Sequence, residues 1–295
     1  MNNDRIQEIL DLMEEARLDY FLISDPQSIA YCTGYYNDPH ERMFVFMISK
    51  HGNHTLFMND LFYLDHDLDV NIVWHKDGQD AIQTIVDEMH FPGRIGIDKN
   101  WASHFLLDLM KKLPDAKYIN ASPCVDLVRM KKDLQEQVLM IESSKINDAV
   151  MEEIIPFIQE GVTEKQLAKK LDELFFNHHS TCYGAIVAFG KNAADPHHEN
   201  DDTLLRKGDC VLIDMGCVYK GYCSDMTRTF FYEGILEEEI KAYEIVKKAN
   251  EAAEAMIKPG VKLSDIDKCA RKVISDEGYG KYFTHRLGHF IGRDV

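Results

Sequence analysis

The chain has 295 residues, 45% of them hydrophobic and 28% charged, and carries a formal net charge of −17. That length suits about two ordinary domains with real cores, and the negative field excludes phosphate backbones and anionic membrane surfaces as partners. There is no run of about 18 apolar residues to span a bilayer, and MNNDRIQEIL lacks the basic and apolar regions of an export signal, so the expectation is no nucleic acid, no membrane and a cytoplasmic place. The seven cysteines are odd in number and form no C-x-x-C, which favours buried thiols over a disulfide framework or a zinc knuckle.

Asp4-Arg5-Ile6-Gln7 has the form of a capping box, with Ile6, Ile9, Leu10 and Met13 following at helical spacing. Tyr20-Phe21-Leu22-Ile23 predicts a strand closed by Ser24-Asp25-Pro26. Two apolar runs, 44–48 and 55–58, flank His51-Gly52-Asn53 and predict a hairpin. Helices are expected around 79–90 and 103–112, with a strand at 94–98 between them. Residues 1–125 thus read as an α/β domain, and Ser122-Pro123 with Met130-Lys131-Lys132 mark a junction to a second domain, 126–295. There, Asp133-Leu134-Gln135-Glu136 is a capping box opening a long amphipathic helix that carries Val138, Ile141, Ile146, Val150, Ile154 and Ile158. Thr163-Glu164-Lys165-Gln166 caps the next helix, strands follow from about 183 to 232, and helices cover roughly 237–257 and 264–277, an α+β pattern.

The most informative stretch is VLIDMGCVYKGYCSDMTRTFF, Val211 to Phe231, which alternates as a hairpin turning near Val218 to Gly221. Asp214 and Asp225 are centred on that turn, so a regular ladder puts them opposite each other on one face. A lone strand aspartate most often faces water. A facing pair repels, and is relieved either by a shared proton or by cations; two ions about 3.5–4 Å apart need bridging carboxylates at such spacing. Of the thirteen histidines, two groups stand near this hairpin's chemistry. His197, in Ala194-Asp195-Pro196-His197-His198, taken alone reads as a surface loop residue. His285 and His289 in HRLGHFIGRDV share a face if helical, but Gly288 and Gly292 favour an extended or turning segment equally. Imidazole beside carboxylates is a normal ligand set for zinc, manganese or cobalt.

Together these segments resemble the pita-bread metallopeptidases, the family of Xaa-Pro dipeptidases (prolidases), aminopeptidases P and methionine aminopeptidases. The matching residues are Pro196-His197, Asp214-Met215-Gly216, Ser224-Asp225-Met226-Thr227-Arg228-Thr229 and His285-Arg286-Leu287-Gly288-His289. Ser24 to Tyr35 also looks like the N-terminal domain shared by prolidases, aminopeptidases P and creatinases, which methionine aminopeptidases lack. Creatinase uses no metal, and the retained Asp214 and Asp225 speak against it. The short N-terminal domain is more like that of bacterial prolidases.

The resemblance implies an α/β N-terminal domain of the creatinase/prolidase type and an α+β pita-bread catalytic domain, C-terminally incomplete. It implies two divalent metal ions (manganese, cobalt or zinc) with Asp214 and His289 as ligands and Asp225 as the bridge. His197 and His285 become the catalytic histidines beside the metals, and Thr227 orients Asp225. The implied reaction is hydrolysis of the peptide bond before proline by a hydroxide bridging the metals, in a cytoplasmic homodimer acting on proline-containing di- or oligopeptides. The alternatives are an Xaa-Pro aminopeptidase on longer peptides and a non-catalytic pita-bread binding domain. The family site uses two further glutamates beyond the histidine segment, so the 295-residue chain alone is expected to be inactive. Phe290 stands where the family usually has glycine.

Overall fold

Residues 1–90 and 92–295 are described in a computed structural model, as two compact units, Met1–Lys132 and Asp133–Val295. In the first, the side chain of Asn2 accepts the Arg5 amide at 3.2 Å and starts α1 (Asn3–Glu15), so the cap is Asn2 and not the expected Asp4. β1 (Tyr20–Ile23) leads to Asp25, whose carboxylate accepts the Ser28 amide and caps α2 (Pro26–Thr33), with Pro26 in the first turn where its missing N–H costs nothing. β2 (Val45–Ser49) and β3 (Thr55–Asn59) form the expected antiparallel hairpin. β4 (Asn71–His75), α3 (Ala81–Glu88), β5 (Arg94–Ile97), α4 (Ser103–Lys112), β6 (Lys117–Asn120) and α5 (Ser122–Met130) complete the unit.

The six strands form one sheet in the order β4-β3-β2-β1-β5-β6, with β1 antiparallel to β2 and parallel to β5. β1 is covered on both faces. Phe21 and Ile23 pack with Ile6 and Ile9 of α1 and Val125 and Val128 of α5. Tyr20 and Leu22 face the other way, onto Ile82 and Ile85 of α3 and Leu109 of α4. A strand buried on both faces reads as an unbroken apolar run, which is why it is visible in the sequence. Position 125 falls inside α5, whose Pro123 sits in its first turn. The Ser122-Pro123 pair is therefore a helix start, and the boundary between the units lies at Lys132/Asp133.

The second unit opens with α6 (Leu134–Ile154), and both arms of its Asp133–Glu136 capping box are present. Val150 and Ile154 are buried as expected, but Val138 and Ile141 are 58% and 55% exposed. The inward positions of α6 before Val150 are polar instead. Ser143 Oγ donates to the Cys217 carbonyl at 3.3 Å and Asn147 Nδ2 to the Met215 carbonyl at 3.3 Å, because this stretch lies on strand backbone. α7 (Glu164–Asn177) begins at a second complete capping box on Thr163. β7 (Thr181–Cys182), β8 (Ile186–Phe189), β9 (Cys210–Met215), β10 (Cys217–Tyr219), β11 (Tyr222–Cys223) and β12 (Met226–Phe231) form two antiparallel three-stranded sheets, β11-β10-β7 and β12-β9-β8. α8 (Glu237–Glu254) and α9 (Leu263–Asp276) pack through Ile245, Ala249 and Ala253 against Ala270 and Ile274. Among the described residues no helix is long and apolar enough to cross a membrane.

Candidate metal centre

β9 alternates so that Val211, Ile213 and Met215 enter the core and Asp214 points to the other face. The hairpin turns at Lys220-Gly221, both left-handed (φ 49° and 81°), as a two-residue type I′ turn demands. That turn lies one residue beyond the centre implied by facing aspartates. The register therefore pairs Asp214 with Thr227 and Met215 with Met226, and the expectation that Asp214 faces Asp225 directly is corrected. Asp225 lies one residue before β12 and alternates with Thr227, so the register carried one step on sets it across from Gly216 and on Asp214's side of the hairpin. Thr227 Oγ1 donates to Asp214 Oδ1 at 2.7 Å, so this hydroxyl orients Asp214 and not, as expected, Asp225.

Between the two aspartates the ladder is broken. Ser224 N–H donates to the Cys217 carbonyl, but the Cys217 amide donates to the Ser224 hydroxyl oxygen, and the Ser224 carbonyl accepts the Tyr183 hydroxyl at 2.6 Å. The phenol fills the space over Gly216, where a Cβ would lie 1.9 Å from Tyr183 Oη and 2.1 Å from Ser224 O. Tyr183 is a site residue the sequence reading missed; only a tyrosine a little upstream of Pro196-His197 signals it. Burial first, then the charges of Asp225 and Asp214, push its phenol upward in pKa. Asp225 is likewise pushed up, by burial and then by Asp214, with His289 opposing.

The histidine segment is not helical. His289 Nδ1 lies 3.1 Å from the Phe290 carbonyl, which can only accept, so Nδ1–H is the donor there and Nε2 is the ring atom left to face the site. Nε2 is 3.5 Å from Asp225 Oδ2. Two neighbouring carboxylates and an imidazole nitrogen turned to one of them are donors of the kind a divalent cation takes, with the three ligand atoms standing further apart than the mutual 4.8 Å of a closed cluster. His285 Nδ1 lies 2.7 Å from the Arg286 carbonyl in the same manner, which frees its Nε2. The structure brings His285 edge-on to His197, ring centres 6.0 Å apart. All five residues expected at the site lie in the second unit.

A different group, Glu164, His198 and Asp201, has ligand atoms all within 4.8 Å of one another. It is already satisfied without a metal. Glu164, fully buried, accepts the Phe189 amide and Asn192 Nδ2 on Oε1, and the Asp201 amide and His198 Nε2 (2.6 Å) on Oε2. With two donors on each oxygen, this carboxylate anchors the segment 189–203 that carries His197.

The sequence pattern of metallopeptidase family M24 matches residues 138–295. The chain belongs to that family. The creatinase/prolidase N-terminal domain matches residues 5–131, so the creatinase-type domain and the pita-bread catalytic domain expected from the sequence are both present. An uncharacterized peptidase of Staphylococcus aureus strain MW2 is 31% identical over 297 residues, covering 98% of this chain and 83% of its own. A dipeptidase from Pyrococcus horikoshii OT3 superposes with a TM-score of 0.89 at 35% identity, over 99% of this chain and 83% of that one. The prolidase from Thermococcus sibiricus gives 0.92 at 30%, over 100% and 83%. An Xaa-Pro dipeptidase from Bacillus anthracis gives 0.88 at 27%, over 99% and 82%. Membership of M24 makes this a peptidase of a family that works with divalent metal ions.

Proposed function

We propose that this M24 chain hydrolyses the peptide bond preceding proline, as an Xaa-Pro dipeptidase using two divalent ions, manganese, cobalt or zinc, in a cytoplasmic homodimer. The observation that carries it is the shared face of Asp214 and Asp225 with His289 Nε2 turned to Asp225. When bound there, divalent ions supply Lewis acidity and bring a water's pKa near neutrality. Asp214, held by Thr227, Asp225 and His289 would bind them. His197 and His285, side by side, would contact the substrate carbonyl oxygen as it gains charge, His285 through an Nε2–H carried by its protonated ring, since its Nδ1–H is held by the Arg286 carbonyl. A proline nitrogen carries no hydrogen, so a dedicated pocket is a sensible answer to a bond that general peptidases recognise poorly. The likeness to an Xaa-Pro dipeptidase and to prolidases supports the same reading.

Three protein ligands hold two ions poorly, so Asp214, Asp225 and His289 on their own are proposed to bind metal weakly. The test is hydrolysis of an Xaa-Pro dipeptide by the protein, metal-free and with Mn(II), beside Asp225→Asn. Metal-stimulated turnover abolished by the substitution is expected; no metal-stimulated turnover sinks the proposal. A preference for longer Xaa-Pro peptides would make it an aminopeptidase, and metal uptake without hydrolysis a binding domain.

A further inference from the structure

Residues 283–292 carry His285 and His289 with no helix or strand of their own, so their geometry is set by what grips their backbone. On one side the grip comes from α9. Arg271 Nη1 donates to the Phe283 carbonyl at 2.7 Å and Nη2 to the His285 carbonyl at 3.1 Å. Its guanidinium carbon lies 4.3 Å from the centre of the Phe283 ring. Asp267 Oδ1 accepts the Leu287 amide at 2.9 Å. Asp267 and Arg271 face each other one helical turn apart, with Nε to Oδ2 at 3.0 Å and Nη2 to Oδ1 at 3.2 Å. On the other side the Gly292 carbonyl accepts the Cys223 amide at 2.7 Å, tying the segment to β11. His289 is thus suspended between two fastenings, and α9 is itself seated on α8 through Ala270 and Ile274.

We propose that the Asp267–Arg271 pair is the positioning clamp for His285 and His289, holding the first beside His197 and the second's Nε2 toward Asp225. This rests on the reading of His289 as a metal ligand. A half-exposed ion pair within one helix contributes little to stability, yet this one spends its remaining donors and acceptor on three backbone groups of the histidine segment. The planar fork of arginine reaches two carbonyls and the carboxylate at once, which lysine cannot do. The effect of losing the clamp therefore falls on ligand geometry and not on folding.

The test compares wild type, Arg271→Gln, Arg271→Lys and His289→Ala by Mn(II) titration, thermal unfolding of the metal-free protein and amide exchange at Leu287. Arg271→Gln is expected to weaken Mn(II) binding by about 10-fold or more, the scale of partners behind metal ligands. Its melting should be nearly unchanged, Leu287 exchange should quicken, and Arg271→Lys should recover part of the affinity. If His289→Ala loses Mn(II) while Arg271→Gln binds it as wild type does, the clamp proposal is overturned. If wild type and His289→Ala take up Mn(II) alike, the ligand reading falls and the clamp with it. Should Arg271→Gln unfold the domain, Asp267→Asn keeps an acceptor for Leu287 and breaks only the ion pair. An affinity unchanged in that variant equally overturns the proposal.

Discussion

Asp225 lies a diagonal step from Asp214, and the residue directly across from Asp214 is Thr227. Diagonal positions on an antiparallel pair are about 7–8 Å apart, against about 4.5–5.5 Å for direct partners. The wider spacing leaves room between the carboxylates, and the position freed opposite Asp214 is used for a hydroxyl that points its carboxylate.

That relationship makes Thr227→Val informative. The valine keeps the shape and β-propensity but removes the 2.7 Å hydrogen bond to Asp214 Oδ1. Thr227 is exposed, so stability should change by no more than about 0.5 kcal/mol. Divalent-metal affinity should fall by about 10-fold, because Asp214 loses the partner that orients it. Paired melting curves and Mn(II) titrations check this; an unchanged affinity would show that Asp214 needs no orienting group.

Gly216→Ala tests the break in the ladder. The new methyl would meet the Tyr183 ring and hydroxyl and also the Ser224 carbonyl, all within 2.3 Å. The strands must move, at a cost of about 1–3 kcal/mol or more, and Asp214 and Asp225 move with them. Trimming the phenol with Tyr183→Phe should not rescue stability, since Ser224 O and the ring remain. Full rescue in urea unfolding of the double variant would mean the hydroxyl alone sets the fit.

Much of the fold is legible in the sequence where burial and punctuation agree. β1 is an apolar run closed by Asp25-Pro26, and the Asp133 and Thr163 boxes both form. Edge strands β4 and β6 carry exposed polar residues and give no clean period. Val138 and Ile141 follow the helical pattern of Val150 and Ile154, yet the helix presents Ser143 and Asn147 to strand carbonyls and leaves these two outside. In the site, the order of Asp214, Asp225 and His289 is readable because each sits in a distinctive short motif. The register is not, since one residue of turn placement decides it. Tyr183 acts on Ser224, 41 residues away, and no local pattern announces that contact.

Asp19 gives a pH dependence of known sign. Burial acts most strongly, and upward, on its carboxyl, but the Lys50 ammonium and the Arg94 and Gly93 amides outweigh it and hold the pKa below its ordinary value. A depressed carboxyl contributes stability that is present above the unfolded pKa, near 4, and is lost as pH falls through the folded one. Asp19→Asn should therefore cost on the order of 1 kcal/mol at pH 7, the scale of a single net hydrogen bond, since the asparagine oxygen still accepts part of the set. The gap to wild type should close as pH is lowered below about 4. Unfolding midpoints measured from pH 7 to pH 3 decide it, and a gap that widens on acidification would reverse the assignment.

Glu164 poses the opposite case, a charge with no exposure at all. Sequence pattern places it just after the Thr163 cap, where a glutamate ordinarily faces water and favours the helix dipole. Here it turns inward and takes the Phe189 and Asp201 amides, Asn192 Nδ2 and His198 Nε2. Glu164→Ala leaves four donors, one buried and three part-buried, without their acceptor and should cost about 3–5 kcal/mol, as breaking a buried pair does. Glu164→Gln keeps one accepting oxygen but turns an NH2 toward two donors, so a smaller loss of about 1–3 kcal/mol is expected. Because those donors span residues 189–201, the Gln variant should also loosen His197 against His285, seen as a change in their imidazole resonances while those of His289 stay in place. A loss under 1 kcal/mol for Glu164→Ala in urea unfolding would mean that the loop is held by other contacts and that this carboxylate is free for another role.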